Sequence, residues 1–373
     1  MKNKFNRRIT GDVSVLLEYE NVSLHEYYTD VDSVIRAYRS GRPKMKEIFG
    51  EDIIMPMIHT PSTGYGHASG LGAKITVPPG DGELSVSPMF DNLEEAVSHL
   101  KKSIGMDFSK TGIVPQHLAF RQKLTDAFPG EPFWFGACSQ GVITTAFLLS
   151  GQEIYYELYD NPELLKEYLK LLTISITEYD EAISRLVYNC GHFNAESGYL
   201  ADDCAALIPP GLFPEFVLNF WEMHYKACTI GKRNLHCEGL TVPHLKYIEE
   251  AKIDLYDPGV SPLLTPDLIA KNCGLQFEWR LAGFHLWNMT VQQVRDFVCH
   301  CAADGASGTF LCLTYNMSEG ENLKKVQAYI ETCKEVSKAL EKGENRENIR
   351  SMAAQKNGKE FWNDWIGYKG GKV

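Results

Sequence analysis

The chain has 373 residues, 44% of them hydrophobic and 23% charged, with a formal net charge of −11. That composition belongs to an ordinary globular protein and excludes a disordered chain, while the acidic excess excludes the basic footprint that a nucleic acid or an anionic membrane surface requires. The 10 cysteines are scattered with no regular disulfide framework, residues 1–10 are basic and polar unlike a secretory leader, and no apolar run reaches the ~18 residues of a membrane span; reduced thiols and a cytoplasmic location are expected.

In chain order, residues 1–50 read as an N-terminal helical segment, because between Ser23 and Arg39 the residues Leu24, Tyr27, Tyr28, Val31, Val34 and Ile35 recur at helical spacing. Asp52–Ile58 is short, apolar and bounded by turn residues, which predicts the first buried strand. From Thr60 to Gly82 the glycine and proline content rises, predicting a long loop or an irregular hairpin, of a kind that often serves binding. A helix over Leu93–Ile104 and a strand over Pro132–Cys138 follow. Helical pattern then runs to Val187, broken at Asp160–Glu163, where Asn161 and Pro162 suit the cap and first-turn positions.

Five further strands, Phe193–Leu200, Arg233–Glu238, Ile253–Tyr256, Phe277–Leu281 and Thr309–Leu313, lead into helical patterns such as Val242–Ala251, Thr265–Asn272, Thr290–Ala303 and Glu321–Leu340. Glu83–Val86 is an additional candidate strand. Short apolar strands alternating with helices predict βα units on a parallel sheet. Eight such units would close a (β/α)8 TIM barrel, a single domain over residues 1–373, with its chemistry at the C-terminal ends of the strands. An open doubly wound sheet is the competing architecture, but no Gly-x-Gly-x-x-Gly follows an early strand to mark a dinucleotide site. Residues 343–373, charged and then glycine-rich, read as a C-terminal surface extension.

In the strand Arg233–Glu238, alternation points His236 and Glu238 to one face and Leu235 and Cys237 to the other. Cys312 stands at the centre of the apolar run Thr309–Thr314. An imidazole, a carboxylate and a thiolate make a three-ligand zinc set with an open fourth position, although a single His or a buried Cys is more often a core residue. Asp202 and Asp203 follow an apolar strand end. Neighbouring carboxylates push their pKa values apart and so suit general acid and base roles; capping of the next helix is the commoner task of such acids. His285, Trp287, Tyr315 and Asn316 follow other strand ends, His59 and His67 flank the glycine-rich segment, and His192 and Glu196 are weaker candidates.

Glu238 lies 74 residues before Cys312, which in turn is followed ten positions later by Asn322 within Glu321-Asn322-Leu323. Together with His236-Cys237-Glu238-Gly239 this resembles the uroporphyrinogen decarboxylase superfamily, and within it the zinc- and cobalamin-dependent methyltransferase branch, whose motif is His-x-Cys-Gly, a distant Cys and Glu-Asn-Leu. Phe135–Pro162 and Gly198–Phe216, with Asp202-Asp203 and Leu207-Ile208-Pro209-Pro210, are similar to that family as well. The resemblance implies a (β/α)8 barrel, zinc on His236, Glu238 and Cys312, and movement of a methyl group between a small methyl donor or acceptor and a corrinoid (cobalamin), free or carried by a partner protein. Glu238 replaces the first cysteine of the family motif, one place after Cys237, and which of the two sits beside His236 at the metal stays open. The Arg-Gln-Ala-Gly-Arg stretch of the decarboxylase branch is absent, leaving only Arg7-Arg8, and so is the histidine that branch carries in place of Cys312. A metal-free decarboxylase, with basic groups converging on Asp202, and a non-catalytic binding barrel are the alternatives. Neither the methyl substrate nor the direction of transfer is written in the sequence.

Overall fold

The computed structural model of the chain describes residues 5–365. Its strands are β1 (Asn6–Gly11), β2 (Ile58–His59), β3 (Ile75–Thr76), β4 (Ser85–Val86), β5 (Phe133–Trp134), β6 (Ser197–Ala201), β7 (Lys232–His236), β8 (Leu255–Asp257), β9 (Gln276–Leu281) and β10 (Gly308–Leu313). Six of them form one curled sheet in the order β1-β10-β9-β8-β7-β6, parallel throughout, with ladders such as Asn6↔Gly308 to Gly11↔Leu313 and Ser197↔Lys232 to Ala201↔His236. β2 and β5 make a separate parallel pair, and β3 and β4 an antiparallel hairpin.

The expectation of a closed eight-stranded barrel is therefore corrected to a six-stranded curled sheet with a two-stranded pair set across its opening. Two seams join them. At one, the backbones of Gly11 and Ile54 exchange bonds with Ile54 and Ile9 at 2.8 and 2.7 Å; at the other, Gly141 N–H donates to the Ala201 carbonyl at 2.7 Å. The physical reason lies in the predicted strands themselves. Pro56 and Pro61 remove ladder donors on either side of β2, and at Gly136 a Cβ would stand 2.3 Å from the Thr60 carbonyl oxygen, so the backbone there packs too closely for a regular pleat.

The N-terminal segment is also corrected, since its first described element is a strand. Asn6–Gly11 pairs with β10 over six residues, and its polar residues hide it from an apolar-period reading because Arg8 faces the polar interior. Three helices follow, Val13–Tyr19, Leu24–Thr29 and Val31–Phe49. Ser23 and Glu26 form a capping box on the second, and Asp30 restarts the third by accepting from Asp32 N–H, which splits the single helix expected over Ser23–Arg39. Glu83–Val86 contributes to the β3/β4 hairpin and not to the main sheet.

The supposed surface extension carries part of the core. Helices Arg346–Arg350 and Gly358–Asp364 bring Phe361, Trp362 and Trp365 to at most 8% exposure. Trp362 packs edge-on against Trp279 of β9 at 6.0 Å and donates its indole N–H to Asp304 at 2.7 Å. Residues 366–373 of that predicted extension lie outside the described residues. Along the sheet, the outward set Ile9, Leu200, Leu235, Cys237, Tyr256, Phe277, Trp279, Leu281, Leu311 and Leu313 is almost fully buried against helices, while the inward set is mostly polar and charged. No helix among the described residues is long and apolar enough to cross a membrane.

Candidate active site

Register decides which side chains meet. His236 ends β7, opposite Ala201 of β6 and Asp257 of β8, and Arg280 near the end of β9 faces Phe310 of β10, which faces Arg8 of β1. All point inward. His236 Nε2 lies 3.5 Å from Asp203 Oδ1 and 3.9 Å from Glu238 Oε1, and its Nδ1 lies 3.1 Å from Asp257 Oδ2, the last contact being too oblique for a hydrogen bond. Arg280 spans two of these acids, with Nη1 3.5 Å from Glu238 and Nη2 3.5 Å from Asp257. The guanidinium groups of Arg8 and Arg280 sit over the Phe310 ring at 4.2 and 4.8 Å.

Backbone donors hold the acids in place. Asp203 accepts from Glu238 N–H at 2.7 Å, Glu238 from Val260 N–H at 3.1 Å, and Asp257 from Gly259 N–H at 2.8 Å. Gly259 is required twice over: its φ is +58°, and a Cβ would fall 2.0 Å from Glu238 Oε1. Burial pulls the His236 imidazole down, but Asp257 and then Asp203 outweigh it and raise its pKa above the ordinary value. Burial pushes Asp257 up, and His236 and Arg280 more than reverse that, so its carboxyl is held below the usual range. Tyr199, whose side chain is 59% exposed, has its hydroxyl pushed up to about 12 by burial, then by Asp257. The cluster thus favours the charged form of both partners, a carboxylate on Asp257 and a proton on the His236 imidazole.

The predicted residues separate into those that reach this cluster and those that do not. His236, Glu238 and Asp203 reach it. Asp202 does not: it is fully buried on the outward side, accepting from Thr144 N–H at 2.7 Å, Trp221 Nε1–H at 2.8 Å and Ile143 N–H at 3.4 Å, so it caps the helix Val142–Ser150. Cys237 also faces outward, its thiol donating to the Asp202 carbonyl at 3.1 Å. Cys312 lies on β10, with β8 and β9 between it and β7. Its surroundings are Thr10, Asp12, Arg280 and Arg8, and burial raises its thiol pKa.

A zinc ion on His236, Glu238 and Cys312 is not what these residues fit. Among the described residues no three His, Cys, Asp or Glu side chains gather as ligands, and the guanidinium of Arg280, a permanent cation, already pairs with Glu238 and Asp257 on the strand next to that of Cys312. The expected ligand set is corrected accordingly: the imidazole and carboxylate meet, the thiol stays with β1.

Of the weaker candidates, His285 is buried between the Phe284 and Trp365 rings at 4.0 and 4.2 Å. His67 bonds Ser175 at 2.9 Å, with its pKa driven down to about 3 by burial. His59 packs on Tyr38 and Trp134, Asn316 N–H binds Glu18, and Glu196 is exposed. His192 lies beside Asp180, away from this cluster. Arg7 pairs with Asp52 at 3.9 Å on the outer side, so basic groups do not converge on Asp202. Two residues of the cluster went unread in the sequence, Asp257 and Arg280. For Arg280 the signal was available: Glu278 and Arg280 alternate within an apolar strand run, which marks a face turned to a polar interior.

No protein-family model and no curated protein matches the chain. Among solved structures it is similar to a methyltransferase from Methanosarcina mazei, with a TM-score of 0.63, 16% identity, and coverage of 90% of this chain and 93% of that one. At that identity the likeness is one of fold.

Proposed function

We propose that the chain is a methyltransferase that moves a methyl group between a small substrate, bound where β6 to β9 end, and a corrinoid co-substrate presented by a partner protein. We read the curled sheet with its β2/β5 pair as a (β/α)8 barrel whose ladder is interrupted at two seams, one domain whose chemistry lies at the strand ends. The observation that carries the proposal is the charged cluster of His236, Asp203, Glu238, Asp257 and Arg280 at those strand ends, on a fold similar to a methyltransferase.

A reduced corrinoid supplies the nucleophile that accepts the methyl group. The chain's own residues do the rest. As the bond between the methyl carbon and its oxygen, nitrogen or sulfur breaks, the electron pair stays on the heteroatom, and His236, whose protonated form Asp257 and Asp203 favour, protonates it. Arg280 supplies fixed positive charge near the developing anion. In the reverse direction the same imidazole, deprotonated, takes the proton from an acceptor thiol, amine or alcohol.

The test is anaerobic incubation with cob(I)alamin and a panel of methyl ethers, methylamines and methyl thioethers. Spectral conversion to methylcob(III)alamin with at least one donor is expected, as is its loss in His236→Gln. Failure across the panel in both directions would sink the reading. Carbon dioxide release from a porphyrinogen would favour the decarboxylase instead, and binding without turnover the non-catalytic barrel. Metal analysis of the purified protein is expected to find less than about 0.1 zinc per chain, well short of a three-ligand site's full occupancy; stoichiometric zinc lost on Cys312→Ala would restore the thiolate-containing site.

A further inference from the structure

Where β5 and β6 fail to pair, the wall opens into a cavity of about 450 Å³, lined by both strands and by the helices Pro162–Tyr188 and Asn219–Cys228. Its walls are in large part aromatic, and three rings stay partly open: Trp134, Tyr188 and Tyr199 are 38%, 43% and 59% exposed, although Trp134 also meets His59 edge-on and the Tyr188 hydroxyl accepts from Phe135 N–H. Neither Lys nor Arg lines it, and its one carboxylate is Asp180. Asp180 is anchored on one side, where Oδ1 accepts the Ser139 hydroxyl at 2.7 Å. On the other side Oδ2 has the His192 Nε2 at 3.9 Å, beyond hydrogen-bond reach. His224 stands nearby with its Nε2 3.2 Å from the Tyr199 carbonyl.

We propose that this cavity binds an alkylated ammonium ion, with Asp180 as counter-ion and Trp134, Tyr188 and Tyr199 as its aromatic walls. The chemistry selects that class. A strongly hydrated primary ammonium gains less from π-faces than an alkylated one, an anion would meet a carboxylate with neither Lys nor Arg to offset it, and a neutral apolar ligand would leave Asp180 with only the His192 imidazole, 3.9 Å away, as a charge partner. A tertiary or quaternary ammonium asks for weakly hydrated π-faces and one negative charge, which is what the lining supplies. The site is independent of the transfer reading, since it rests on the cavity alone. It adjoins the charged cluster, because Tyr199 stands two residues before Ala201, the register partner of His236.

Titration calorimetry of the full chain, with Trp fluorescence alongside, should compare choline and tetramethylammonium with 3,3-dimethylbutan-1-ol, the uncharged isostere of choline, at constant ionic strength. Choline is expected to bind roughly tenfold or more tightly than the isostere, with Asp180→Asn erasing the preference. Should Asp180→Asn fail to fold, Tyr199→Leu, which removes a ring facing solvent, is expected to weaken choline binding about fivefold or more. Equal binding of the isostere, unchanged choline affinity in the folded variants, or no ammonium binding at millimolar concentration would each overturn the proposal.

Discussion

The six-stranded sheet and the β2/β5 pair are built from the same alternation of strand and helix, yet they differ in how they finish. In the sheet, ladders run to six residues, and strand ends come level enough for side chains of β7, β8 and β9 to meet at 3.1 to 3.9 Å. In the pair, prolines and a crowded glycine leave two residues of ladder, and the wall parts into a cavity. Regular pairing concentrates charge at one end; interrupted pairing makes room along the side. The two regions offer different chemistry for that reason.

The contrast can be broken most severely at Asp202, which clasps the seam by holding the helix after β5 to the end of β6. Asp202→Ala leaves the Trp221 indole and two backbone N–H groups buried without acceptors and is expected to cost about 3 kcal/mol or more in urea unfolding. Per folded molecule, methyl-transfer activity should survive; its abolition in a fully folded variant would return Asp202 to the catalytic set. On the regular side, Arg280→Met should lower turnover roughly 10- to 100-fold and move the alkaline limb of the pH–rate profile upward, because Arg280 is the charge that opposes protonation of His236. A downward shift would mean that another group carries that limb.

Gly259→Ala sharpens the comparison more gently. It strains a positive-φ position and pushes Glu238 aside, for an expected loss of about 1–2 kcal/mol together with reduced turnover; unaltered activity would detach Glu238 from the site. The smallest effect is a stability profile. Because the folded pKa of His236 is raised, its contribution is complete below the ordinary histidine value near 6.5 and fades as pH rises through the folded value. Asp257, whose folded pKa is lowered, contributes above about pH 4 and fades as pH falls. His236→Gln should flatten the alkaline decline alone, and chemical denaturation between pH 6 and 9 would register it.

Legibility in the sequence followed the same division. Strands β6 to β10 announced themselves as apolar runs because their outward faces are buried, and His236 with Glu238 followed from alternation alone. β1 escaped because Arg7 and Arg8 interrupt it and neither face is continuously apolar, and the aromatic tail passed for a surface feature because Phe361, Trp362 and Trp365 sit among charged residues. Which of Asp202 and Asp203 faces inward was not legible, because the acceptor role of Asp202 depends on Trp221 and the Val142–Ser150 helix, contacts no local pattern carries. Cys312 shared a motif with His236, but a motif holds no information about the guanidinium that β9 interposes.

The β1/β10 ladder also has a bearing on how the chain comes to be folded at all. Asn6 pairs with Gly308, so β1 finds its neighbour only after some 300 further residues have been made, a delay of roughly 15–60 s at about 5–20 residues per second. Through that interval Phe5 and Ile9, both buried in the finished protein, have no sheet to cover them. Such a long-range closure is slow on entropic grounds, and the nascent chain must be kept from pairing elsewhere until β10 emerges.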